Sequence, residues 1–136
     1  MWWRLSRAEW SRGKGGNRKA FRELVRDGTE TGILAYADGE PVGWCALAPR
    51  GQYPRLFIAR KFRRQELSTK LLNAAVDFAR ARGAMIVEGY PHETRNATPD
   101  VFVYTGLVSA FRKAGFKEVA RRSETRPMMR IAWELQ

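Results

Sequence analysis

The chain has 136 residues, 44% of them hydrophobic and 12% aromatic, and a formal charge of +11 from 25 Lys and Arg against 14 Asp and Glu. That length suits a single domain spanning residues 1–136, and the apolar fraction excludes a disordered chain. One cysteine and one histidine exclude an internal disulfide and a zinc site built on a Cys/His cluster.

No apolar run approaches the roughly 20 residues needed to span a bilayer, and the start, Met1-Trp2-Trp3-Arg4-Leu5-Ser6, has no signal-like apolar block. A soluble, cytoplasmic chain with no membrane partner and no metal is expected. The positive charge favours anionic partners, either a phosphorylated cofactor or nucleic acid. The basic residues are scattered, so nucleic acid is the less favoured of the two.

Residues 1–15 mix tryptophans with Arg, Ser and Gly and run into the flexible composition Gly13-Lys14-Gly15-Gly16. Asn17 can cap a helix whose apolar positions Ala20, Phe21, Leu24 and Val25 fall at helical spacing, and Asp27-Gly28 stops it. Gly32 to Tyr36 and Val42 to Ala48 read as strands of an antiparallel hairpin turning at Asp38-Gly39. After the loop Pro49 to Pro54, Leu56 to Ala59 is a short strand, and a basic turn leads into a helix from Glu66 to Arg82 closed by Gly83. Ala84 to Tyr90 is a strand and His92 to Asp100 a polar loop. The segment Phe102 to Ala114 reads as a helix ended by Gly115. Phe116 to Arg121 and Met128 to Leu135 read as strands around a turn from Ser123 to Pro127.

Four features in this order resemble the GNAT superfamily of acyl-CoA N-acyltransferases, over residues 17 to 135. They are the hairpin Ile33-Leu34-Ala35-Tyr36 with Val42-Gly43-Trp44-Cys45-Ala46, and the strand, basic loop and leucine-paired helix from Phe57 to Leu72. Ala79-Arg80-Ala81-Arg82-Gly83-Ala84 then leads into a buried strand, and the helix Ser109 to Ala114 ends in Gly115-Phe116 before a further strand. The resemblance implies an α/β fold, a mixed and mainly antiparallel twisted sheet flanked by helices. It also implies N-acetyl transfer from acetyl-CoA to a primary amine by direct attack in a ternary complex.

On the same grounds, backbone atoms of Phe57, Ile58, Ala59 and Arg60 would hold the pantetheine arm of acetyl-CoA. Arg63, Arg64, Gln65, Glu66, Leu67, Ser68 and Thr69 would hold its pyrophosphate, where backbone N–H groups meet the positive end of a helix dipole. The chain departs from the family pattern in three places. Glu66 stands where the family has glycine, so a carboxylate and a Cβ enter a tight anion-binding turn. Phe111 stands where a tyrosine often serves as the acid. The segment between the third and fourth strands, Pro49 to Pro54, is short, which exposes an edge that could pair with a second copy in a homodimer.

Two residues are candidates for catalysis. Tyr104 is the remaining hydroxyl on the helix expected from Phe102, and Glu88 lies in an apolar strand where burial would make a carboxylate a useful base. Against these, Tyr104 could simply pack on the sheet and Glu88 could face solvent. His92 is expected to be an exposed loop residue and Cys45 a small core residue. Trp2, Trp3, Trp10, Trp44 and Trp133 could stack on nucleic acid, but packing is the default for them. Two other functions stay open: a degenerate, non-catalytic GNAT-like module that binds CoA or a protein, and a basic nucleic-acid-binding protein.

Overall fold

Helix α1 (Gly13–Arg26) has three glycines among its first four residues, each costing about 1 kcal/mol of helix propensity relative to alanine. Its stability therefore comes from tertiary contact, as the ring of Phe21 meets Trp44 edge to face at 5.7 Å. The glycine-rich stretch is helical here, and Asn17 lies inside the helix instead of capping it. Asp27-Gly28 ends the helix as expected, with Gly28 at φ 73°. These elements belong to a computed structural model that describes residues 13–48, 56–58, 66–94 and 105–133.

The expected hairpin forms from β1 (Ile33–Ala37) and β2 (Glu40–Cys45). Asp38 at φ 51° and Gly39 at φ 79° are both left-handed, the requirement of the two-residue turn that matches strand twist. The register pairs Ile33 with Cys45 and Leu34 with Trp44. Strand β2 stops at Cys45, three residues before the expected Ala48. Strand β3 (Leu56–Ile58) runs antiparallel along its other side, pairing Cys45 with Leu56 and Gly43 with Ile58. The sheet order β1-β2-β3 leaves β3 at an edge.

Helix α2 (Leu67–Ala81) follows, then β4 (Ile86–Gly89), α3 (Val108–Lys113), β5 (Lys117–Ser123) and β6 (Arg126–Ala132). A second antiparallel sheet has the order β4-β6-β5, so β4 is also an edge strand. The helix expected from Phe102 begins only at Val108. Gly106 at φ 89° and the extended Leu107 (φ −102°, ψ 142°) stop any helix from running through residues 105–107. The last turn is tighter than expected, at Glu124-Thr125, with Arg126 and Pro127 already in β6.

Helix α2 joins the two sheets. Leu72 packs with Val108, Phe111, Phe116 and Met129 over the second sheet, while Leu71 and Ala75 pack with Cys45 over the first. Full burial of such side chains contributes about 1.5–3 kcal/mol each. The result is an α/β fold of mainly antiparallel strands flanked by helices, as the sequence implied. Among the described residues, no helix is long and apolar enough to cross a membrane, and no group of three or more His, Cys, Asp or Glu could hold a metal ion.

Candidate functional site

Two features lie at opposite ends of α2, whose 15 residues span about 22 Å. At its N-terminus Glu66 adopts φ 56° and ψ 4°, the left-handed conformation that glycine takes without strain. Its carbonyl accepts from the N–H groups of Thr69 (3.0 Å) and Lys70 (3.1 Å), closing the first turn. The glycine-type turn is thus formed in spite of the Cβ. Helix geometry leaves the N–H groups of Leu67 and Ser68 without intrahelical acceptors, aimed out of the positive end of the helix.

The Glu66 carboxylate turns toward α3, where Lys113 Nζ lies 3.3 Å from Oε1. Both side chains are more than 60% exposed, so the pair contributes at most about 1 kcal/mol. Its effect is local charge neutralisation beside the helix end. Of the other residues expected to hold cofactor, Phe57 and Ile58 lie on β3 opposite Trp44 and Gly43. Ala59, Arg60, Arg63, Arg64 and Gln65 lie outside the described residues.

At the other end of α2 is a cavity of about 690 Å³. It lies between the chain just past β2, the last turns of α2 and the edge strand β4. Leu47, Phe78, Met85, Ile86 and Val87 supply apolar walls; Glu88, Tyr90 and Arg130 supply the polar groups. At its exposed margin Arg82 and Glu30 form an ion pair with Nη2 to Oε1 at 2.7 Å.

Glu88 is placed by the sheet. It lies directly opposite Arg130 on β6, and Arg130 donates to its Oε1 from Nη2 (2.6 Å) and Nε (2.9 Å). The Glu88 side chain is 12% exposed and that of Arg130 33%. The carboxylate therefore lines the cavity, neither solvated nor alone. Tyr90, two residues on and also at the cavity, brings a hydroxyl. Tyr104 lies outside the described residues.

The sequence reading missed Arg130, Tyr90 and Lys113. The two-residue spacing of Glu88 and Tyr90 was legible, and so was an arginine next to the core position Met129 on an alternating strand. Only the strand register reveals that Arg130 faces Glu88. His92 corrects the exposed-loop expectation: it is 9% exposed and its Nδ1 has no hydrogen-bond partner. Its N–H donates to Gly106 O at 2.8 Å and its carbonyl accepts from Val108 N–H at 3.1 Å, so a short parallel bridge holds it inside.

Phe111 is 4% exposed and meets Phe116 edge to face at 4.9 Å. It packs where a Cβ on Gly89 would stand, so the glycine makes room for the ring. Cys45 is 5% exposed, and burial pushes its thiol up to about 12. A thiol held protonated is no nucleophile at neutral pH, which agrees with its reading as a core residue.

Comparison with known proteins places this arrangement. The chain is similar in fold to the crystal structure of a ribosomal-protein-alanine N-acetyltransferase from Brucella melitensis. That match has a TM-score of 0.60 and 16% identity, over 88% of this chain and 78% of that one. A "putative acetyltransferase" from Agrobacterium tumefaciens matches with a TM-score of 0.45 and 21% identity, over 87% and 90% of the two chains. No curated protein matches the chain in sequence. The family model described as acetyltransferase (GNAT) family matches residues 1–98, more than half of the 136. By that match, this chain belongs to the GNAT acetyltransferase family.

Proposed function

We propose that this chain, as one domain over residues 1–136, transfers an acetyl group from acetyl-CoA to a primary amine by direct attack. The observation that carries the proposal is the left-handed turn at Glu66 immediately ahead of α2. Such a turn presents successive N–H groups to an anion, and a pyrophosphate suits it. The outer edge of β3, at Phe57 and Ile58, would take the amides of the pantetheine arm. Ala59, Arg60, Arg63, Arg64 and Gln65 would complete the grip, with Leu67, Ser68 and Thr69 supplying the first helical turn.

Extended between β3 and β4, the donor would bring its thioester to the cavity. Glu88 would take the proton of the incoming amine, and the nitrogen would attack the thioester carbonyl. The C–S bond would then break, and Tyr90 or Tyr104 would protonate the departing thiolate. The protein would act in the cytoplasm. Millimolar acetyl-CoA should raise the melting temperature, because a ligand bound only by the native state stabilises it. Thiol release with an amine panel should follow. No melting shift would sink the proposal.

A non-catalytic CoA-binding or protein-interaction module is favoured by one observation, the burial of Phe111 where the family often has its acid. It expects the melting shift without thiol release. A nucleic-acid-binding role draws on the exposed Arg18, Arg22 and Arg26, spaced one helical turn apart along α1. It expects affinity for DNA or RNA that falls steeply with salt.

A further inference from the structure

The Glu88–Arg130 pair sits in the wall of a largely apolar cavity, and that placement constrains what can bind there. A ligand carrying only a positive charge would compete with Arg130 for Glu88. The guanidinium would then be left without its counter-charge in a site already two-thirds buried. A ligand carrying only a negative charge would strand Glu88, which is buried more deeply. A ligand carrying both charges on groups attached to one carbon replaces the resident pair one for one. Arg130 uses Nε and Nη2 on Glu88, and Nη1 takes no part in the pair. A carboxylate can therefore dock on Nη1 before the resident contact opens. Leu47, Phe78 and Met85 give the remaining walls an apolar surface for an apolar group, and the other charged groups, Arg82 and Glu30, are paired with each other at the exposed margin. The volume of about 690 Å³ falls within the range of small-molecule sites, about 300–1,000 Å³.

We propose that the cavity takes a small zwitterion, an α-amino acid with an apolar side chain, as the acetyl acceptor. Arg130 receives its carboxylate and Glu88 its ammonium. The transfer rests on the proposed acetyltransferase function; the binding does not. The ammonium gives one proton to Glu88, and the freed nitrogen lone pair forms the new C–N bond to the thioester carbonyl carbon. The C–S bond breaks with its electron pair on sulfur. The second proton lost from nitrogen ends on the thiolate, and Glu88 returns its own to solvent. The products are an N-acetylamino acid, CoA thiol and one proton.

The test uses the full chain with L-phenylalanine, L-leucine and L-methionine. Their decarboxylated counterparts (2-phenylethylamine for phenylalanine) and their carboxamides are the comparisons. Melting temperature is read without acetyl-CoA, and thiol release is read with it. At least one amino acid should raise the melting temperature and turn over with kcat/KM tenfold or more above its decarboxylated and amide analogues. Arg130→Gln should bring that ratio close to one. If the variant does not fold, the wild-type panel decides alone. Analogues lacking the carboxylate that match or exceed the amino acids would overturn the proposal, as would the absence of any melting shift with all three amino acids. A melting shift with no thiol release from any amine would sustain the zwitterion site and sink the acetyltransferase function instead. Thiol release confined to carboxylate-free amines would do the reverse.

Discussion

Replacing Glu66 with glycine separates the two effects that this residue has on the turn ahead of α2. A non-glycine residue in the left-handed region costs about 1–2 kcal/mol, and Glu66 sits there at φ 56°. Glycine removes that strain but returns about 0.4–1 kcal/mol through its freer unfolded state. It also forfeits the exposed Lys113 pair, worth about 0–1 kcal/mol, and a helix-dipole contact worth about 0.3–1 kcal/mol. Taken at mid-range, the gain and the losses leave a net change within about 1 kcal/mol of zero, so stability should barely move.

Affinity for acetyl-CoA should move more. At a separation of about 8 Å in a dielectric of about 80, a unit charge repels another by ~0.5 kcal/mol. Two pyrophosphate charges would make this ~1 kcal/mol, or roughly fivefold in affinity. Calorimetric titration at low salt, with urea unfolding as the stability control, reads both quantities. Glu66→Ala removes the charge but keeps the Cβ, so it should gain affinity while losing about 1 kcal/mol of stability to Glu66→Gly. Binding that stays constant or weakens in both variants, with stability intact, would refute the placement of the pyrophosphate at this turn.

Further outcomes follow from the packing. Gly89→Ala would drive a methyl into the Phe111 ring; a loss of about 1–3 kcal/mol in urea unfolding is expected, and a neutral result would mean the ring is not seated there. Cys45, with its thiol raised to about 12, should resist thiol reagents at pH 8 in the native protein and react at once in denaturant. Its folded value lies above its unfolded one, so it also removes stability as pH rises from 9 toward 12, which pH-dependent unfolding of Cys45→Ala against wild type would register. Lys113→Ala should weaken acetyl-CoA binding by a few fold through the uncovered Glu66 carboxylate, an effect that added salt should shrink. No change at any ionic strength would remove Lys113 from the account.

Local chemistry made some of this architecture legible in sequence. Asp38-Gly39 specified its turn because only residues tolerant of positive φ fit there, and the leucine pair with Gly83 marked α2 and its end. Helix α3 was overextended because its apolar spacing continues upstream of Val108, while Gly106 breaks the helix with a backbone angle that spacing does not encode. The His92 reading failed for a related reason: polar neighbours suggested solvent, but backbone hydrogen bonds to Gly106 and Val108 pull it inside. The cavity was the least legible part. Glu88 could be picked out from its own strand, whereas Arg130 is 42 residues away and acquires its role only through the register of β4 on β6.

Leu71 and Leu72 are neighbours in the chain, yet each serves a different core. Among the described residues the protein is therefore two small sheets buttoned together by α2, with a seam between them where the chain just past β2 and strand β4 line the cavity. Local opening costs least where few contacts cross, so amide exchange should find this seam before it finds either sheet interior. A ligand lying along the seam acts as a splint. The same molecule that is to be chemically transformed would then supply part of the cohesion between the halves that hold it.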